Sequence, residues 1–192
     1  MARPRSFEPN DVLDAARDLF WSRGYERTSL DDITRATGVN KPSLFAAFGD
    51  KASLFHAVLD RYHEMLLAHA RRALGDGSAR EAVRAWLMGF LPACSGEAGR
   101  RGCLSANAGV APADEGVADR VAAYNAAVEG LLRRALERGR KAGEFGSDFD
   151  ARGAARAILA AQIGLMILAR QQPTPAETKA AVGRVLSILD QA

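Results

Sequence analysis

The sequence predicts an all-α fold, and three observations predict it. Apolar residues recur at helical spacing along most of the chain. Long runs of Val, Ile and Thr are missing. Alanine, the strongest helix former, is abundant, while aromatic residues make up only 7% of the 192 positions. With 48% hydrophobic and 26% charged residues the composition is that of an ordinary globular protein, long enough for one large or two modest cores. The pattern divides into a three-helix unit over residues 1–50 and a larger helical domain over residues 51–192.

Residues 2 to 8 form a short tail in which Arg3 and Arg5 flank Pro4. Such a tail is either a solvated terminus or an arm able to reach into a minor groove. Val12, Leu13, Ala16, Leu19 and Phe20 then place a core-facing helix over Asp11–Arg23, ended by Gly24, with Tyr25 packing beneath the next two helices.

The most informative stretch is TSLDDITRATGVNKPSLFAAFGDK, Thr28 to Lys51. Leu30, Ile33 and Ala36 keep helical spacing, Gly38 and Val39 interrupt, and Leu44 and Phe48 repeat at i and i+4. Two short helices therefore meet at a glycine bend, which is a helix-turn-helix. Ser29 with Asp32 three residues on has capping-box spacing, with Asp in place of the usual Glu. Asn40 or Lys41 caps the second helix, and Pro42 fits its first turn, where a missing N–H costs nothing. With Leu44 and Phe48 turned inward, its outward face carries Pro42, Ser43, Ala46 and Ala47, led by Lys41. So slim a face suits close packing in a bundle. It equally suits a recognition helix, whose backbone must approach base edges in a major groove while Lys41 and Ser43 supply donors.

Asp50 caps a long helix over Lys51–Leu74, with Leu54, Val58, Tyr62, Met65, Leu66 and Ala70 along one side. His56, His63 and His69 lie on it roughly 10 Å apart, so no two share a metal directly, and they read as surface or hydrogen-bonded side chains. Gly75 and Gly77 break the chain, and Ser78 caps a helix bearing Val83, Trp86, Leu87, Phe90 and Leu91. CSGEAGRRGC follows no strand and lacks Gly-Lys-Ser/Thr, so it reads as a flexible connector rather than a phosphate loop. A short helix over Cys103–Gly109 precedes a long one over Glu115–Ala142, whose buried stripe is Val117, Val121, Tyr124, Val128, Leu131, Leu132 and Leu136 and whose last turn is basic. Two final helices, Asp150–Arg170 and Thr174–Gln191, flank QQPTP. The first is small-faced and apolar nearly all round, which implies burial from more than one side.

The pI near 9.1 and net charge of +3 do not by themselves indicate nucleic acid, because basic and acidic side chains balance one for one over residues 1–51. Affinity for a polyanion has to come from where the charges sit, acids outside the first helix and bases toward the groove. No uninterrupted apolar run approaches the roughly 18 residues of a membrane span, and the start lacks the apolar core of a signal peptide, so a cytoplasmic location with no membrane partner is expected. Cys94 and Cys103 read as reduced thiols. Gly-x-Ser-x-Gly, His-Glu-x-x-His, Cys-x-x-Cys and paired Glu/His ligand spacing are all absent from the sequence, so neither catalysis, cofactor nor metal is expected.

From Pro9 to Phe55 the chain resembles the N-terminal domain of the TetR family of transcriptional regulators. The residues that carry the resemblance are Ala15, Ala16, Phe20, Gly24, Tyr25, Thr28, Ser29, Ile33, Gly38, Val39, Leu44, Phe48 and Lys51. One position departs, since Phe45 replaces the family's usual Tyr and loses a hydroxyl that reaches a DNA phosphate in relatives. The resemblance implies contacts to double-stranded DNA from Thr28, Ser29, Lys41, Pro42, Ser43, Phe45, Ala46, Ala47 and Lys51, with Arg3 and Arg5 reaching from the tail. It implies a homodimer joined through the last two helices, bound to a palindromic operator, most often as a repressor. It also implies a small apolar or amphipathic effector between helices of the larger domain, for which Trp86, Phe90, Cys103, Asn107, Tyr124 and Met166 are the candidate contacts. A second expectation concerns Cys103, which follows Arg100 and Arg101 at a helix start, two features that favour a thiolate. It reads either as an inert thiol or as the sensor of a redox- or electrophile-responsive regulator.

Overall fold

The computed structural model describes residues 7–190, which are mostly helical with no strand among them. The chain runs α1 (Pro9–Arg23), α2 (Leu30–Thr37), α3 (Lys41–Phe48), α4 (Lys51–Leu74), α5 (Ala79–Met88), α6 (Gly96–Arg101), α7 (Leu104–Val110), α8 (Glu115–Lys141), α9 (Ala151–Leu168) and α10 (Pro175–Leu186). Short 3₁₀ turns follow α5, α9 and α10.

Local chemistry sets most helix starts. Ser29 and Asp32 form the expected capping box, the Asp32 amide donating to the Ser29 hydroxyl and the Ser29 amide to the Asp32 carboxylate. Asn40, rather than Lys41, caps α3 by accepting from the Ser43 amide at 2.9 Å. Asp50 accepts from Ser53 at 2.7 Å to start α4, Asp114 from Val117 to start α8, and Thr174 with Glu177 closes a second capping box on α10. Each such cap is worth about 1 kcal/mol. Gly38, at φ +69°, supplies the left-handed residue on which the α2–α3 bend turns.

Two cores arise from the apolar stripes. One gathers Val12, Ala16 and Phe20 of α1, Ile33 and Leu44 of the helix pair, Leu54, Phe55, Val58 and Leu59 of α4, and Leu104, Val117 and Val121 beyond them. The other is built between α5, α8, α9 and α10 around Trp86, Leu132, Leu136 and Ile158. α4 contributes to both, so the packing is continuous across residue 50. Tyr25 lies beneath the reading head as expected, 5.0 Å ring to ring from Phe55.

One expectation needs correction. CSGEAGRRGC is no loose connector: Gly96–Arg101 is helical, bounded by Gly96 and Gly102 at positive φ. A Cβ on Gly99 would stand 2.6 Å from the Cys94 carbonyl oxygen, so that glycine permits a close approach rather than slack. Ala151–Gln171 is long and apolar enough, at mean hydropathy 1.4, to cross a membrane by length and composition. Scanning for uninterrupted runs misses it because Arg152, Arg156 and Gln162 punctuate it. One side of this helix is buried, through Ala155, Ile158, Leu159 and Met166, while Ala157, Ala160, Ile167 and Leu168 lie exposed on the other.

Candidate nucleic-acid interface and effector cavity

The helix-turn-helix offers one exposed edge. Leu44 is buried and anchors α3, leaving Lys41, Pro42, Phe45 and Ala46 exposed and Ser43 and Ala47 half-buried. No side chain on that edge except Lys41 is charged. The Lys41 ammonium lies 2.8 Å from a carboxylate oxygen of Asp31 on α2, an exposed pair that water screens and a DNA phosphate or base can displace. Lys51, at the first position of α4, sits 4.1 Å over the Tyr25 ring, held where free helix amides and ammonium together favour an anion. Ser29 is exposed, but its hydroxyl is engaged with Asp32. Those Ser29 hydrogen bonds hold the Asp32 carboxyl below the usual carboxylate range.

Thr28 is placed differently from its expected role. Its side chain is fully buried and its hydroxyl donates to the Gly24 carbonyl at 2.8 Å, pinning the turn instead of facing a groove. Arg3 and Arg5 lie outside the described residues.

Acids on the outer side of α1 are neutralised from within. Asp14 accepts from Arg17 and from Arg61 of α4, and the Arg61 contact holds its carboxyl below the ordinary range. Asp18 accepts from Arg101 of α6 at 3.2 Å. The Arg101 guanidinium also lies 4.4 Å over the Trp21 ring, and the Trp21 indole N–H donates to the carbonyls of Arg101 and Gly102, each at 3.1 Å. α1 is thereby tied to α4 and α6.

Directly behind Trp21 lies a cavity of about 260 Å³. Phe90, Cys103, Tyr124 and Met166 are on its wall, with Tyr62, Ile163 and Gln162. Two expected contacts are elsewhere. Trp86 is 1% exposed and fills the core between α5 and α8, its ring edge-on to Phe90. Asn107 faces a different groove, where its amide donates to the Arg101 carbonyl at 2.8 Å and its oxygen accepts from Arg170.

Sequence reasoning passes over most of the other wall residues, Trp21, Asn125 and Gln162 among them. For Gln162 a signal was available: it is the one polar side chain between Ala157 and Leu168. For Trp21 there was none, because α1 meets α6 across 80 residues of chain.

Beside the cavity a buried polar pair is satisfied internally. His63 Nε2 is 2.8 Å from the Ser105 hydroxyl, and its ring stacks on Tyr124 with centroids 4.5 Å apart. Burial lowers the His63 pKa to about 4, so the ring is neutral near pH 7. Burial likewise raises the Tyr62 and Tyr124 hydroxyls, which stay protonated. The Cys103 sulfur lies 3.7 Å from the Tyr62 hydroxyl on the cavity wall, at the N-cap of α7. Of the two arginines that precede it, Arg101 contacts Trp21 and Asp18, and Arg100 contacts Gln172.

Comparison with known proteins adds independent findings. A family model described as bacterial regulatory proteins, tetR family, matches residues 12–58. Among solved structures the chain is similar to a cysteine-substituted CifR, a TetR family transcriptional regulator complexed with 26-bp double-strand operator DNA. The two are 34% identical with a TM-score of 0.85, covering 96% of this chain and 98% of that one. Among curated proteins, the transcriptional repressor ComR of Escherichia coli strain K12 is 50% identical over 66 residues, 34% of this chain and 31% of ComR. The repressor BdcR of the same strain is 47% identical over 60 residues, 31% of this chain and 30% of BdcR. The matched segments thus span about a third of these two repressors.

Proposed function

The chain belongs to the TetR family of transcriptional regulators, and from that premise we propose that it is a ligand-responsive repressor acting as a homodimer on a palindromic operator. It is a DNA-binding regulator of the helix-turn-helix type; repression, effector response and dimerisation are the added steps. Enzymatic chemistry has no part in this reading, and the cytoplasm, where operator DNA is found, is its proposed location.

The observation that carries the reading is Trp21. It belongs to the helix on which the helix-turn-helix packs, yet it also forms part of the cavity wall. A molecule filling the cavity therefore touches the reading head directly. If it fits one placement of α1 better than another, its binding energy shifts the spacing of two recognition helices away from half-site geometry. Repression is supported by the names of ComR and BdcR, two repressors alike in this segment. Dimerisation is supported by the small, uncovered side of α9: Ala157 and Ala160 are exposed on it, with half-buried Gly164 beside them, where a Cβ would meet nothing within 4 Å. An exposed apolar stripe of this kind invites a symmetry mate.

Selection of bound duplexes from a random pool tests this. The expected outcome is an inverted repeat whose affinity falls steeply with salt, as release of counterions from several phosphates demands. Recovery of unrelated duplexes with no two-fold symmetry would sink the proposal.

A second reading makes Cys103 the sensor, and its sulfur on the cavity wall favours it, since an electrophile in the cavity would meet a nucleophile there. Cys103→Ser should then abolish release of DNA by an alkylating agent such as N-ethylmaleimide. Equal release from the variant would discard this reading while leaving the first intact.

A further inference from the structure

Among the described residues, the wall of the cavity carries no Asp, Glu, Lys or Arg. It is mostly aromatic and aliphatic, with Trp21, Tyr62, Phe90 and Tyr124 presenting ring surface. An ion entering it would lose its hydration and find no opposite charge, a desolvation penalty that geometry alone cannot offset. The wall therefore selects against charge.

It does not select against polarity. Gln162 is only 7% exposed, so more than nine-tenths of it is buried, yet among the described residues its carboxamide makes no hydrogen bond to another side chain. Neither of its amide atoms is among the sealed side-chain atoms left without a partner, so the carboxamide opens onto the cavity, where an apolar occupant that expelled water would leave it unpaired at a cost. Ser105, by contrast, is already occupied by His63. Gln162 stands well inside α9, flanked by Ala161 and Ile163. The unspent donors and acceptors of this wall's amides belong to it and to its half-buried neighbour Asn125.

Size narrows the class further. An apolar protein cavity of about 150 Å³ holds benzene, so 260 Å³ accommodates a single ring with a short substituent. We propose that the cavity takes an uncharged molecule of about one aromatic ring bearing a single hydrogen-bonding group of amide, carbonyl or hydroxyl type, and that Gln162 is the residue that reads that group. This rests on the ligand-responsive reading above and adds the chemical class and the specificity residue to it. The ring would lie among Trp21, Tyr62 and Phe90, and the polar group would supply the hydrogen bonds that the Gln162 carboxamide lacks. A hydrocarbon of the same size would leave that carboxamide stranded, and a carboxylate would bring an unpaired charge.

Three probes of equal heavy-atom count separate these cases: benzamide, benzoate and isopropylbenzene. Their dissociation constants are measured by ligand-observed NMR on the full-length protein near pH 7.5, for the wild type, Gln162→Leu and the near-isosteric Gln162→Met, each checked for helical circular dichroism. Benzamide is expected to bind at least about tenfold tighter than either of the others, the size of effect that comes from leaving one buried polar group unpaired. Both variants should reverse the order of benzamide and isopropylbenzene. Benzoate binding as tightly as benzamide, an unchanged benzamide preference in a folded variant, or failure of all three probes to bind would each overturn the assignment. Duplex binding is followed on the same preparations, so that the two readings fail separately. Bound DNA without the probe ranking removes only the ligand class, and the expected ranking without DNA binding removes only the regulator reading.

Discussion

Lys41 is exposed at the start of α3, and its geometry adds a constraint to the DNA contact proposed for it. It leads the recognition helix, but its ammonium is held 2.8 Å from Asp31. DNA must therefore take Lys41 from a carboxylate, and removing that carboxylate should help. Asp31→Asn is expected to tighten duplex binding several-fold at low salt, since it removes both a competitor and a negative charge near the groove. Lys41→Ala should weaken the selected site more than random duplex, whereas Lys51→Ala should weaken all duplexes alike and reduce the salt slope by about one. Equal loss of discrimination in both lysine variants, read from competition titrations, would refute this division of roles. His63 poses a different test at the same scale. Its pKa is about 4 in the folded chain against an ordinary value near 6.5, so between those limits the unfolded chain binds the proton and the folded one does not. Stability is then full above pH 6.5 and declines as pH falls toward 4, by an amount on the order of 2 kcal/mol. Denaturant midpoints across that range should show the decline, and His63→Gln should flatten it.

Among elements, legibility tracked how local the determining chemistry was. α4 is bounded as the sequence predicts because Asp50 at one end and Gly75 at the other act within a single turn. The capping boxes on α2 and α10 are short-range for the same reason. α6 was hidden because its glycines resemble slack, whereas Gly99 is demanded by a carbonyl of the preceding turn that no one-dimensional pattern reveals. The cavity wall was half legible: Phe90, Tyr124 and Met166 lie on predicted inward faces, but Trp86 shares that periodicity and ends in the core. Periodicity says which way a side chain points and is silent on whether another side chain or a void awaits it. Thr28 illustrates this on the DNA side, where a polar residue in a matched motif ties a turn together. α9 supports the prediction belonging to this scale. Its stripe of exposed Ala157 and Ala160 with half-buried Gly164 has room for close helix approach, and a long charged side chain there would block it without disturbing the buried side formed by Ala155, Ile158 and Leu159. Ala160→Arg is expected to turn a dimer into a monomer by analytical ultracentrifugation while keeping its helical signal. Operator affinity should drop at least about tenfold, because two half-sites then bind independently. A variant that sediments as the wild type does would remove α9 from the interface.

At the scale of the molecule, regulation requires that the cavity and the DNA edge share one equilibrium. α1 is attached to the rest by a common apolar core with α4, the Arg61–Asp14 and Arg101–Asp18 ion pairs, the Arg101 guanidinium over the Trp21 ring, and the Trp21 indole on the carbonyls of Arg101 and Gly102. The first is large, non-directional and present in any arrangement. The ion pairs are exposed and individually weak. The indole contact is directional, and it is the one that a molecule in the cavity adjoins. If it transmits the signal, Trp21→Phe should keep the ring packed against Tyr62, and with it most of the duplex affinity, while losing the N–H that registers the position of the α6–α7 junction. Coupling is reciprocal, so it can be measured from either end: the factor by which a bound probe weakens DNA must equal the factor by which DNA weakens the probe. For the wild type with benzamide we expect the two factors to agree and to exceed about fivefold, the lower end of ordinary coupling energies. In Trp21→Phe both should fall toward one, although benzamide and DNA each still bind alone. If the variant retains the wild-type factor, the signal travels through the shared apolar core instead, and the indole hydrogen bonds serve only to fix α1 in place.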